Sequence, residues 1–79
     1  MVSQSFDVLL DVNHLRCPMP LLKTKQALSS MMSGQIIKVV CTDAGSWRDI
    51  PAFVELTSHT LLFSEQSEEN FIFMIQKGE

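Results

Sequence analysis

Seventy-nine residues with 46% apolar content and a net charge of −3 point to a single domain over residues 1–79, with enough apolar material for a core. That composition excludes a disordered chain, and its acidic balance argues against direct nucleic-acid binding, which needs a basic surface. No run of about 18 apolar residues is present, which excludes a membrane-spanning helix, and no membrane partner is expected.

The opening Met1-Val2-Ser3-Gln4-Ser5-Phe6-Asp7 has neither a charged start nor an apolar stretch. No signal peptide is expected, and the expected address is the cytoplasm. Residues 5–11 alternate, with Phe6, Val8 and Leu10 on one side and Asp7, Leu9 and Asp11 on the other, the pattern of a half-buried strand. A loop over residues 11–16 follows. Residues 18–33 read as a helix, because Leu21, Thr24, Ala27, Leu28 and Met31 form a stripe at helical spacing. Gly34 is placed to end it.

Residues 35–42 predict a second strand, rich in Ile and Val, with Ile37, Val39 and Cys41 on one face. A second helix is predicted over roughly 46–57. Its start is either Ser46, which puts Pro51 inside the helix, or Asp49, which puts Pro51 in the first turn. Ile50, Phe53, Val54 and Thr57 form its apolar stripe. Residues 60–65 and 70–77 read as strands joined by the acidic loop of Glu65, Glu68 and Glu69. Leu61 and Phe63 are expected on one face; Phe71, Phe73 and Ile75 are expected together as well.

The order β-α-β-α-β-β predicts an α/β fold: a two-layer α/β sandwich with a four-stranded mixed sheet. Both helices fall on one face, because each β-α-β crossover is right-handed. Leu9, Ile36, Val40, Leu62, Ile72 and Met74 then point away from the helices. That apolar outer face predicts a partner or self-association.

The first strand ends and the first helix begins at Arg16-Cys17-Pro18-Met19-Pro20. Proline suits a helical first turn, so Cys17 reads as the N-cap and Pro18 as the first helical residue. A helix start carries roughly half a positive charge, and ligands of α/β sheets gather beyond strand carboxyl ends. Such a setting lowers a thiol's pKa from about 8.5 into a range of about 3.5–7.5, with Arg16 and His14 placed to add to the effect. Cys41 alternates with core residues and reads as buried and structural. Asp11 and Asp49 read equally as thiol-orienting groups or as plain strand-end and helix-cap residues. Trp47 reads as a partner contact or as a lid on the core. His14, Cys17, Cys41 and His59 are four potential zinc ligands, but their spacing matches no compact metal site, so no metal or cofactor is expected.

These residues resemble a known family. Leu10-Asp11, then Leu15-Arg16-Cys17-Pro18-x-Pro20-Leu21, is similar to the Cys-Pro-x-Pro signature of the TusA/SirA-like sulfur carriers. The likeness continues through Gly34, Asp43, Arg48-Asp49-Ile50-Pro51-x-Phe53, His59 and Lys77-Gly78. The resemblance implies a sandwich like the C-terminal domain of initiation factor 3. It also implies a protein that takes persulfide sulfur on Cys17 from a cysteine desulfurase and passes it to a downstream relay protein. In the best-known branch the sulfur goes to tRNA thiolation; other branches serve sulfur oxidation, molybdoenzyme maturation or selenium handling. Such a protein is a co-substrate of its partners more than a free-standing enzyme. Pro18 and Pro20 match the motif prolines, and Asp11, Arg16 and Asp49 match its surroundings. His14 stands where the family usually has glycine, which predicts a reshaped loop before Cys17. The alternative reading is a non-catalytic interaction or regulatory module that keeps the fold.

Overall fold

The computed structural model describes residues 5–79; residues 1–4, where the stretch read above for a signal peptide begins, lie outside them. The elements are β1 (Val8–Val12), α1 (Met19–Ser29), β2 (Ile36–Cys41), α2 (Ser46–Glu55), β3 (Thr60–Gln66) and β4 (Phe71–Gln76). Their order is the expected β-α-β-α-β-β. The sheet runs β1-β2-β4-β3. β1 and β2 are parallel, while β4 is antiparallel to both β2 and β3.

One core joins the layers. Leu28 and Met31, from α1 and the turn after it, and Ile50 and Val54 of α2 pack on Val12, Ile37, Val39, Cys41, Phe73 and Ile75 of the sheet. Ile37, Val39, Ile50, Phe73 and Ile75 are wholly buried. Each such side chain contributes about 1.5–3 kcal/mol of hydrophobic stabilisation.

Several boundaries move for local reasons. Pairing begins at Val8 rather than residue 5, and Phe6 does not join the core. Its ring lies 5.4 Å from the Lys38 ammonium, and Lys38 alternates with the buried Ile37 and Val39 onto the outer face. α1 starts at Met19 with Pro18 at the cap, so Cys17 lies outside the helix. It stops at Ser29, before Gly34. Ser29 and Ser30 donate back to the carbonyls of Gln26 and Ala27 at 2.7 and 3.0 Å, the competition through which serine weakens helix ends. Gly34 instead takes φ +92° just before β2. α2 starts at Ser46, leaving Pro51 inside it. After Glu55, the Leu56 and Thr57 amides donate to the Phe53 and Val54 carbonyls, tightening the last turn.

The outer face differs from expectation in β3. A register shift between Leu61 and Phe63 sets Leu61 opposite Ile75 but Phe63 opposite Met74. The two therefore fall on opposite faces, because a bulge inserts one residue into the period-two alternation. Leu9, Lys38, Met74 and Phe63 form one outer row. Within it Met74 is 1% exposed and Leu9 57%. Met74 is thus covered while Leu9 stays open, and Phe63 joins this face.

Candidate functional site

The parallel pairing of β1 and β2 sends both following loops to the same edge of the sheet. The β1–α1 loop is pinned there by the His14 amide, which donates to Thr42 Oγ1 at 2.8 Å. His14 itself adopts φ +72°, a left-handed conformation that costs a non-glycine residue about 1–2 kcal/mol. The chain then passes through an Arg16-to-Met19 turn, closed by the Met19 amide on the Arg16 carbonyl at 2.7 Å. Cys17 is exposed in that turn, and its peptide bond to Pro18 is cis.

The β2–α2 loop approaches from the other side. Asp43 Oδ2 accepts hydrogen bonds from the Ser46 amide and hydroxyl, both at 3.1 Å. This caps α2, which has no capping side chain at Gly45. A Cβ on Gly45 would stand 3.2 Å from Asp43 Oδ2, a tight approach, and 3.9 Å from Cys17 Cβ, an ordinary contact. One turn into α2, Asp49 sits in the field of the helix N-terminus. The Cys17 thiol donates to its Oδ2 at 3.4 Å.

This geometry reverses the sequence-based expectation for the thiol. The Cys17 pKa is raised, not lowered. The causes are the hydrogen bond to Asp49 first, then partial desolvation, then the negative charges of Asp49 and Asp43. The helix start offers little to oppose them. The Met19 amide is spent on Arg16, and proline at position 20 has no amide hydrogen, leaving one first-turn N–H, that of Leu21. α2 is no better a source, since the Ser46, Trp47 and Arg48 amides already donate to Asp43, Ala44 and Gly45 carbonyls.

The remaining candidates divide. Pro20 is buried, and its carbonyl accepts from Thr24 Oγ1 at 2.8 Å, which anchors the first turn beneath the thiol. Arg16 is exposed and lines a shallow cavity of about 300 Å³ with His14, Thr42 and Asp43. Asp11 lies apart: its carboxylate accepts from the Asn13 amide at 3.0 Å, and its register partner is Val40, on the outer face. Trp47 stacks near Phe71 and Phe73, with ring centroids 5.6 and 5.9 Å away, and so lids the core while staying 38% exposed. Cys41 is fully buried, and burial pushes its thiol up. Asp43 was not among the expected site residues, although the family likeness runs through it; its spacing of three before Ser46, the pattern of a side-chain cap, is the local signal that points to it.

Two distant parts of the pattern meet away from the thiol. The Gly78 amide donates to His59 Nδ1 at 2.8 Å, and a Cβ on Gly78 would overlap the Ser58 carbonyl. A cavity of about 580 Å³ is lined by Pro51, Val54, Glu55, His59 and Leu61 among others, and Cys17 is not part of it. No group of three His, Cys, Asp or Glu side chains is placed to hold a metal ion among the described residues. No helix among them is long and apolar enough to cross a membrane.

Comparison with known proteins agrees on one family. A family profile described as "Sulfurtransferase TusA" matches residues 8–77. The sulfur carrier protein TusA of Allochromatium vinosum is 42% identical over 73 residues, covering 92% of this chain and 96% of that protein. The putative sulfur carrier protein YrkI of Bacillus subtilis is 45% identical over 74 residues, covering 91% and 96%. A SirA-like protein from Desulfitobacterium hafniense superposes with a TM-score of 0.78 at 20% identity, covering 92% of this chain and all of that one; this last likeness concerns the fold.

Proposed function

Because the chain belongs to the TusA family, we propose that it is a sulfur carrier whose Cys17 accepts sulfane sulfur from a cysteine desulfurase persulfide and relays it to a downstream protein acceptor. tRNA thiolation is the proposed destination, and the cytoplasm the proposed site of action. The observation that carries this reading is the exposed Cys17 thiol held at the sheet edge by Asp49. Arg16, Pro18 and Pro20 shape the turn that presents it. The thiol stands on open surface, and the cavities beside it are lined by its neighbours and not by Cys17. A partner protein can therefore reach it directly and supply the rest of the reaction chamber.

In the transfer, the Cys17 sulfur attacks the outer sulfur of the donor persulfide. A new S–S bond forms, the donor's S–S bond breaks, and the donor cysteine leaves as a thiolate. A raised pKa lowers the thiolate fraction, but nucleophilicity of the thiolate rises with its pKa, so the two effects partly offset.

The test is intact-mass spectrometry after incubation with a cysteine desulfurase and cysteine. One sulfur, about 32 Da, is expected on the native chain and on Cys41→Ser, and none on Cys17→Ser. Absence of the adduct on the native chain across several desulfurases overturns the reading. The second reading, a non-catalytic interaction module, draws on the raised Cys17 pKa. It expects Cys17→Ser to retain every partner and every cellular role of the native chain.

A further inference from the structure

One carboxylate meets the sulfur from the α2 side, and a second acts on it through its charge. Asp49 Oδ2 accepts its hydrogen bond at 3.4 Å. Asp43 is held in place by Ser46, in the loop where a Cβ added at Gly45 would come within 3.9 Å of Cys17 Cβ. The exposed Arg16 is the cation next in the chain. We propose that Asp49, supported by Asp43, favours the unloaded Cys17 thiol over its loaded persulfide, so that the site gives up sulfur more readily than it keeps it. The inference rests on the sulfur-carrier reading and adds a direction to it.

The chemistry turns on charge and hydrogen-bond count. The unloaded thiol is neutral and has a proton to give, and Asp49 is an acceptor that matches it. Loading removes that match. The Cys17 proton passes to Asp49 or water as Sγ bonds to the donor's outer sulfur, and the departing donor thiolate takes up a proton. The net reaction exchanges one sulfane sulfur between two thiols, with no external oxidant or reductant. The product persulfide is a stronger acid than the thiol, so at neutral pH it carries a negative charge beside two carboxylates. An inner sulfur without a proton has nothing to donate to Asp49, and the terminal anion is repelled. A carrier that must unload onto an acceptor gains from such a bias, because tight retention would stall the relay.

Removing the charge removes the bias. Two unit charges about 4 Å apart in water interact with an energy equivalent to about five-fold in an equilibrium constant. The experiment equilibrates the purified full chain with a glutathione and glutathione persulfide pool of known ratio, and reads the loaded fraction by intact mass. Asp49→Asn is expected to raise the exchange constant towards the loaded form by about five-fold and to lower the pH midpoint of Cys17 alkylation. Asp49→Glu, which keeps the charge, is expected to stay close to the native partition. Asp43 is left native because it caps α2. Native and Asp49→Asn chains that load to the same extent overturn the directional bias and leave the carrier reading standing. Failure of both chains to load from this pool, together with no adduct on the native chain after a cysteine desulfurase and cysteine, overturns both.

Discussion

Replacing Gly78 by alanine sets two effects of opposite sign against each other. Gly78 does not have positive φ, so alanine suits its backbone. Alanine also restricts the unfolded chain, which by itself stabilises by about 0.4–1 kcal/mol. Against this, an ideal Cβ would overlap the Ser58 carbonyl oxygen and carbon. Non-bonded heavy atoms settle at about 3.5–4.0 Å, so the segment after β4 must retreat by about an ångström or more. The obstacle is backbone and cannot rotate aside. Retreat weakens the Gly78 amide bond to His59 Nδ1, the Ser33 hydroxyl bond to the Gly78 carbonyl and the Ser58 hydroxyl bond to the Glu79 carbonyl. Overpacking of this kind costs about 1–3 kcal/mol, and three hydrogen bonds at about 0.5–1.5 kcal/mol each set a similar limit. The expected outcome is a net loss of about 1–2 kcal/mol, a fall in Tm of about 4–8 °C per kcal/mol in a domain this small. Urea and thermal unfolding of the native chain and Gly78→Ala measure it. An unchanged or raised stability would falsify the steric argument, since only the entropic effect would then remain.

Burial and the Lys77 charge lower the His59 pKa, so the folded state favours neutral imidazole. Stability is then fully present above the unfolded value of about 6.5 and falls as pH drops below it. His59→Asn keeps an acceptor near the Nδ1 position without titrating, and its unfolding midpoints should lose that dependence between pH 7 and 5; a slope equal to the native one refutes the assignment. With Asp49 holding its proton, Cys17 should alkylate with a midpoint above that of free cysteine, and Cys41, fully buried, should label only on unfolding. A Cys17 midpoint below that of free cysteine would restore the helix-field expectation. His14→Val, forcing a β-branched residue to φ +72°, should lower stability by about 1–2 kcal/mol, whereas His14→Gly should stay within about 1 kcal/mol of the native chain because relief of strain offsets glycine's chain entropy. Equal stability of His14→Val and the native chain contradicts this. Phe73→Ala, emptying the most buried large side chain of β4, should cost about 3–5 kcal/mol, read by urea denaturation; a loss under 1 kcal/mol contradicts the core described for it.

Period and local chemistry carried most of the fold. The alternation of Ile37, Val39 and Cys41, the stripe of Ile50 and Val54, and the Cys-Pro-x-Pro junction each act within a few residues, so the chain alone reveals the element order, the layering and an exposed thiol at the sheet edge. Other features needed partners far apart in sequence. The β3 register shift depends on how β3 meets β4, and it moved Phe63 to the other face. The Gly78–His59 contact forms only when the end of β4 passes the α2–β3 loop. The Cys17 pKa is the clearest case. Its own neighbours suggest a helix field that lowers it, but Asp49, 32 residues on, raises it. Electrostatic energy follows distance in space, and folding alone brings that carboxylate to the sulfur.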